Sequence, residues 1–287
     1  MDTRFLESYL VVVESSSLAE AARQLNLTPA ALGLRIRALE NEIGFPLVMR
    51  SGRTVKPTAA GLTLAARAKG FLHELRDLKM IGHEETLSGE LRLGVAVSAV
   101  SGILCRILLA FAQKYPDVDI SVAKGSSADL YRRLTNSDLD MALVFEPQFE
   151  LPKTFGWESI RREHYIVLAP MALAGSDPHE LLRTKPFIRY DRSLWSGQLA
   201  DNYLSRMRIQ PRERLELDSL EAIAVLVDQG LGVSLVPEWS KPWPEGIKVA
   251  KLPLPGEAPV RDLGVLWPRS SPRSHMIHAL LKEAVTT

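Results

Sequence analysis

The side chains with the plainest chemistry in this 287-residue chain are cations. Between Pro29 and Lys69 stand Arg35, Arg37, Arg50, Arg53, Lys56, Arg67 and Lys69, against only Glu40 and Glu42. Guanidinium and ammonium groups at that density would attract a polyanion such as a phosphate backbone; a solvated helix face carries similar runs, and charge alone leaves the two readings level. The whole-chain balance adds nothing, because its net charge is only +1. Other chemistries lack their residues. The six histidines, His73, His83, His164, His179, His275 and His278, show no metal-ligand spacing. The single cysteine, Cys105, excludes an intramolecular disulfide and a thiolate cluster, fits a reducing compartment, and is expected to pack inside an apolar helix without a resolving partner. No GxSxG elbow, Walker loop or GxGxxG is present, and Gly230-Leu-Gly232 reads as a helix stop before a strand. Neither an enzyme nor a bound cofactor or metal is expected.

The elements that must carry the cations are short helices. Phe5, Leu6, Tyr9, Leu10 and Val13 fall three or four apart, one face of a first helix. Ser17-Leu-Ala-Glu20 has the form of a capping box opening a second, which runs through Ala21, Ala22 and Leu25. Asn26-Leu-Thr28-Pro29 then supplies a turn, an N-cap and a proline at the first position of a third. Two short helices joined by so short a turn make a helix-turn-helix. At about 100° per residue, Leu32, Ile36, Leu39 and Ile43 face inward, so Ala30, Leu34, Arg37 and Asn41 face outward. An outward Leu34 suits a thymine methyl group in a major groove, although stray surface leucines are common. Short extended runs around Ser51-Gly52 form a wing with Arg53 at its tip, placed to grip phosphate or a minor groove. Thr58 caps a long helix whose Leu64, Ala68, Phe71, Leu75 and Leu78 recur at alternating four and three, a seam for dimerisation or for packing on its own chain.

Together these residues resemble the LysR-type transcriptional regulators, from Phe5-Leu6 through Ser17 to Leu25, Leu39-Glu40, Arg50-Ser-Gly-Arg53 and Pro57-Thr-Ala-Ala-Gly61. The likeness continues in Gly89-Glu-Leu-Arg-Leu-Gly94, Phe111 to Pro116, Leu139 to Leu143 and Val227 to Pro237. It implies a winged helix-turn-helix over residues 1–58, a linker and dimerisation helix over 59–88, and an effector-binding domain over 89–287. That domain would resemble a type 2 periplasmic binding protein, with subdomain I near 89–164 and 262–287 and subdomain II near 165–261. The DNA-binding positions are then Thr28, Pro29, Ala30, Gly33, Leu34, Arg35, Arg37, Arg50, Arg53 and Lys56. Where the family often has Ser-Gln-Pro and Ser-Arg in the recognition helix, this chain has Thr28-Pro29-Ala30 and Gly33-Leu34. Readout would therefore rest more on Arg37, the wing and DNA shape, with Gly33 letting the helix sit closer. Expected partners are double-stranded DNA, a small-molecule co-inducer, a second copy in a homodimer or homotetramer, and RNA polymerase.

From Gly89 strands and helices alternate, an α/β pattern with mostly parallel strands. Leu91, Leu93, Val95 and Val97 alternate as a strand, and Asp218 with Glu221 caps a helix ending at Gly230. In open α/β sheets ligands sit beyond strand carboxyl ends, near helix N-termini. Ser98, Ala99, Ser101, Ser126, Ser127, Phe145, Glu146, Ser196 and Gly197 hold such positions, although each serine could serve as an N-cap alone. Glu146 would disfavour a dianion and favour a neutral or zwitterionic effector. With 46% hydrophobic and 24% charged residues, an acidic rather than basic N-terminus at Asp2 and Glu7, and no apolar run near the ~20 residues of a span, the chain reads as a cytoplasmic protein without a membrane segment. The alternative is a stand-alone small-molecule clamp, without DNA binding.

Overall fold

The structure, a computed structural model, describes the chain apart from Met1, Ser16, Gly52, Arg53, residues 81–86, residues 240–242 and Thr287, and apart from the side chains of Arg50, Ser51, Thr54, Lys69, His73, Glu74, residues 76–80, Ser101 and Thr286. Two compact units divide it, one comprising Met1–Glu85 with Asn136–Asp138 and the other Thr86–Thr135 with Leu139–Thr287.

The first unit runs α1 (Thr3–Ser15), α2 (Leu18–Gln24), α3 (Pro29–Ile43), a hairpin of β1 (Val48–Ser51) and β2 (Thr54–Pro57), then α4 (Ala59–Met80). Leu6, Tyr9 and Val12 of α1 meet Ala21 and Ala22 of α2 and Leu32, Ile36 and Leu39 of α3 in one core closed by Leu47 and Val55. Burial, with Glu40 nearby, pushes the Tyr9 phenol up to about 12. The α3 start forms as its residues dictate: Thr28 is extended, its Oγ1 accepts the Ala31 N–H at 3.1 Å, and Pro29 fills the first turn. Thr28→Ala should cost about 1 kcal/mol, read as a lower urea midpoint with unchanged slope. The capping box expected at α2 does not form. Ser17 stands at the N-cap without a side-chain bond, and the Glu20 carboxylate is instead engaged by Arg23 one turn on. Thr58 Oγ1 accepts the Gly61 N–H at 2.9 Å and donates to the Pro46 carbonyl at 2.9 Å, fixing α4 to the hairpin.

The α4 stripe needs correction. Ala68 is buried in this unit's own core and Leu64 is half-buried against it, beside Ala65 and Leu72. The first half of the expected seam is therefore occupied within the chain. Phe71 is 44% exposed and Leu75 half-buried, while the Leu78 side chain lies outside the described residues.

The second unit begins with β3 (Gly89–Ala96), α5 (Cys105–Lys114), β4 (Val118–Gly125), α6 (Ser127–Thr135) and β5 (Met141–Phe145). The 16-residue β6 (Phe155–Pro170) then leads into α7 (Pro178–Thr184), β7 (Pro186–Tyr190), α8 (Trp195–Arg206), β8 (Arg212–Leu217), α9 (Leu220–Asp228), β9 (Ser234–Pro237) and β10 (Val249–Pro253). Finally β11 (Val260–Pro268) and α10 (Ser274–Thr286) return. Residues of β3, α5, β5, β11 and α10 share one core, while Tyr165, Val167, Phe187, Tyr203 and Leu235 belong to another. We call the parts around these two cores subdomains I and II.

Only part of the sheet is parallel. Strands β4 and β5 flank β3 in parallel and β7 pairs β8 in parallel, but β11 runs antiparallel to β5 and β6, and β6 runs antiparallel to β9 and β10. The expectation of mostly parallel strands fails because the first half of β6 carries Glu158, Arg161, Arg162 and Glu163, a charged run that hides a strand. Val97 also lies past the end of β3, in a short helical turn and 62% exposed. The α9 cap is Ser219, whose Oγ accepts the Ala222 N–H at 3.2 Å, rather than Asp218. Cys105 is exposed, not packed.

Candidate nucleic-acid interface and ligand cleft

On α3 the inward face is complete. Leu32 and Leu39 are fully buried and Ile36 nearly so, which leaves Ala30, Arg37 and Asn41 exposed and Leu34 65% exposed. Thr28 and Pro29 are exposed at its N-terminus, and a side chain at Gly33 would meet nothing within 4 Å. The structure therefore offers an open helix face of small and branched residues with one forward guanidinium. Arg35 departs from expectation. It is half-buried and its Nη1 donates to Ser8 Oγ at 3.1 Å, so it ties α3 to α1 instead of facing outward.

Glu40, which sequence reasoning set against the basic field, turns out to be structural. Its carboxylate accepts the N–H groups of Leu47 at 2.8 Å and Val48 at 3.1 Å, which anchors the start of the hairpin. Strands β1 and β2 pair antiparallel from Val48 opposite Pro57 to Ser51 opposite Thr54. Lys56 is exposed on this wing; the Arg50 side chain and Arg53 lie outside the described residues.

In the second unit a cleft of about 160 Å³ opens at the carboxyl end of β3 and β5. Ser98, Ser126, Ser127, Phe145 and Ser196 line it, five of the nine positions read from sequence. The other four fall elsewhere. Ala99 is buried in the subdomain I core, the Ser101 side chain lies outside the described residues, and Glu146 is exposed and does not line the cleft. Gly197 is a packing residue. A Cβ there would stand 1.7 Å from the Asp191 carbonyl oxygen, so only glycine lets α8 close on that loop. Sequence reasoning missed Tyr190, Leu194 and Trp195, and the carboxylates Asp218 and Glu221, which line the cleft. The DS pair before an apolar helix was a signal, but it was read as a cap.

Three helices begin at this cleft. Ser126 caps α6 through the Asp129 N–H at 3.2 Å and Ser219 caps α9, whereas Leu194 at the start of α8 provides no side-chain cap. The start of α8 thus lacks the side-chain acceptor that Ser126 and Ser219 give the other two helices. Ser127 is committed elsewhere, its Oγ accepting the Phe145 N–H at 3.1 Å. Trp195 packs edge-on to Phe149 at 5.5 Å between centroids, so aromatic contact joins the two subdomains beside the cleft.

Beneath the cleft, Arg261 is 2% exposed. Its Nε donates to Glu163 at 2.8 Å, Nη1 to Ser196 Oγ at 3.2 Å, and its guanidinium lies 3.7 Å from the Phe145 ring centroid. The Tyr165 hydroxyl donates to the Ser196 carbonyl, and burial drives both the Tyr165 and Tyr190 phenols well above their ordinary range. Among the described residues no lysine or arginine lines the cleft itself.

Residues 3–62 match the family profile described as bacterial regulatory helix-turn-helix protein, lysR family, and residues 84–287 match the LysR substrate binding domain. The chain is 28% identical to the HTH-type transcriptional activator IlvY of Salmonella typhimurium, over 98% of this chain and 99% of that one. It is 26% identical to the nitrogen assimilation regulatory protein nac of Escherichia coli, over 83% and 79%. In fold it is similar to CbnR solved with its target DNA, at TM-score 0.72, 18% identity and coverage of 99% and 100%, and to full-length OxyR of Pseudomonas aeruginosa, at 0.71, 21%, and 99% and 94%. The relatives are regulators rather than enzymes, and a helix-turn-helix match argues against a clamp that lacks DNA binding. The chain belongs to the LysR family and is a DNA-binding transcription regulator with an effector-binding domain.

Proposed function

We propose that α3 and the β1–β2 wing dock on double-stranded DNA, and that a small zwitterionic molecule in the cleft adjusts that docking. The observation that carries the DNA surface is the open α3 face, where Leu34 and Arg37 stand clear of the core that holds Leu32, Ile36 and Leu39. For the ligand, the uncapped start of α8 suits a carboxylate, while Asp218 and Glu221 in the same cleft suit an ammonium group. A volume of about 160 Å³ admits a molecule well below the 300–1,000 Å³ typical of drug-sized sites. The expectation of a neutral or zwitterionic effector is narrowed in this proposal to a zwitterion, with the negative side assigned to Asp218 and Glu221 instead of Glu146. No described helix is long and apolar enough to cross a membrane, consistent with action on DNA in the cytoplasm. The exposed Phe71 on α4 is the natural start of a dimer contact, and assembly into tetramers and contact with RNA polymerase belong to the same proposal.

The test is binding to DNA upstream of neighbouring genes across a salt series. Steep weakening with salt is expected, and Arg37→Ala should weaken binding roughly tenfold and lower the salt slope by about one unit. Unchanged affinity and slope would displace the proposed surface from α3.

A further inference from the structure

A second groove, of about 590 Å³, shares no lining residue with the cleft. Arg106 of α5, Arg161 to His164 of β6, Glu238, Trp239, Trp243 and Lys251 of β10 line it. Its charges do not cancel. Lys251 pairs with Glu238 at 3.1 Å and Arg162 with Asp262 at 3.1 Å. Glu163, 2% exposed, is held by Arg261 at 2.7 Å, and Arg161 approaches the same carboxylate only to 3.4 Å without hydrogen-bond geometry. Two guanidiniums thus share one buried carboxylate, and Arg106 is exposed with no ion-pair partner among the described residues. Two positive charges are left over.

Two buried donors point the same way. Arg161 Nε and Trp239 Nε1 have no hydrogen-bond acceptor, although both residues line the groove. Leaving such donors unmet is costly, and a bound acceptor would satisfy both. Trp239 is also rigidly placed, stacked on Trp243 at 3.8 Å and 11°, with Lys251 3.8 Å from the Trp243 ring centroid.

We propose that this groove is a second ligand site, for a small molecule bearing an oxyanion. Arg161 and Arg106 supply charge and forked donors, the Trp239 N–H a directional bond, and the tryptophan pair a flat wall. Carboxylate and phosphate share this chemistry, so two probes separate them. Calorimetric titration of the full chain with inorganic phosphate and with malonate, against chloride at matched ionic strength, should give saturable binding for at least one. Arg161→Gln and Arg106→Gln should each raise the half-saturation concentration at least tenfold, and Trp239→Phe at least threefold. Arg106 is exposed, so its variant folds whatever Arg161 does for stability. Ser126→Ala in the cleft and Arg37→Ala on α3 should leave the titration unchanged. The proposal is overturned if neither anion saturates, if both arginine variants bind as the parent does, if Ser126→Ala or Arg37→Ala abolishes the signal, or if the signal follows protein concentration, which would assign the groove to a second copy.

Discussion

Arg261→Met is expected to destabilise the effector-binding domain by about 3–5 kcal/mol, the cost of leaving a buried carboxylate without its main partner. Glu163 is buried, and Arg161 at 3.4 Å stands too far to replace the Arg261 Nε hydrogen bond at 2.8 Å together with the Nη2 ion-pair contact at 2.7 Å. The loss also strips the Ser196 hydroxyl of its donor and Phe145 of the cation against its ring. Urea unfolding should show a lower midpoint, and the double variant Arg261→Met with Glu163→Met should recover much of it, because an apolar pair of similar volume leaves no unpaired charge. A single variant within about 1 kcal/mol of the parent would mean that this pair does not hold the domain floor.

Gly61→Ala should disable the DNA-binding unit. A Cβ at this position would stand 2.2 Å from the Leu47 carbonyl oxygen and 2.4 Å from the Tyr9 hydroxyl, so α4 would have to withdraw from both the wing and α1. Overpacking of that kind costs about 1–3 kcal/mol, and here one of the opposing atoms is backbone and cannot swing aside. Fluorescence anisotropy should then show specific DNA binding lost, with only weak, salt-sensitive binding left. Parental affinity and stability in this variant would contradict the close approach of α4 to Leu47.

How much of this was legible in the residues divides along physical lines. The helix-turn-helix was readable because Thr28-Pro29 marks a start and Leu32, Ile36 and Leu39 keep strict helical spacing, and the structure buries them as expected. Long-range partners were not readable. Nothing local says that Arg35 would reach Ser8 of another helix, or that Glu40 would serve Leu47 and Val48. The same holds for the α4 stripe, where spacing alone cannot tell a partner chain from the chain's own core, and Ala68 chose the latter. In the cleft, strand ends and helix starts pointed to Ser98, Ser126 and Ser196, but Asp218 and Glu221 were hidden by an equally sound reading as helix caps. The first half of strand β6 escaped notice because alternation is visible only when one face is apolar, whereas its apolar end at Ile166-Val-Leu168 reads as a strand.

That strand sets how the two subdomains can move. One continuous strand of 16 residues serves both halves, pairing β11 over Phe155–His164 and β9 and β10 over Tyr165–Pro170, and its pairing with β11 slips register between Leu263 and Gly264, close to Arg161 and Ser159. Such a joint works as a torsion bar: it yields by winding a few degrees about its own length at the slipped rung, and it resists the wide jaw opening that a loose tether would permit. Signals passing through this protein should accordingly travel as small rotations, magnified with distance from the bar.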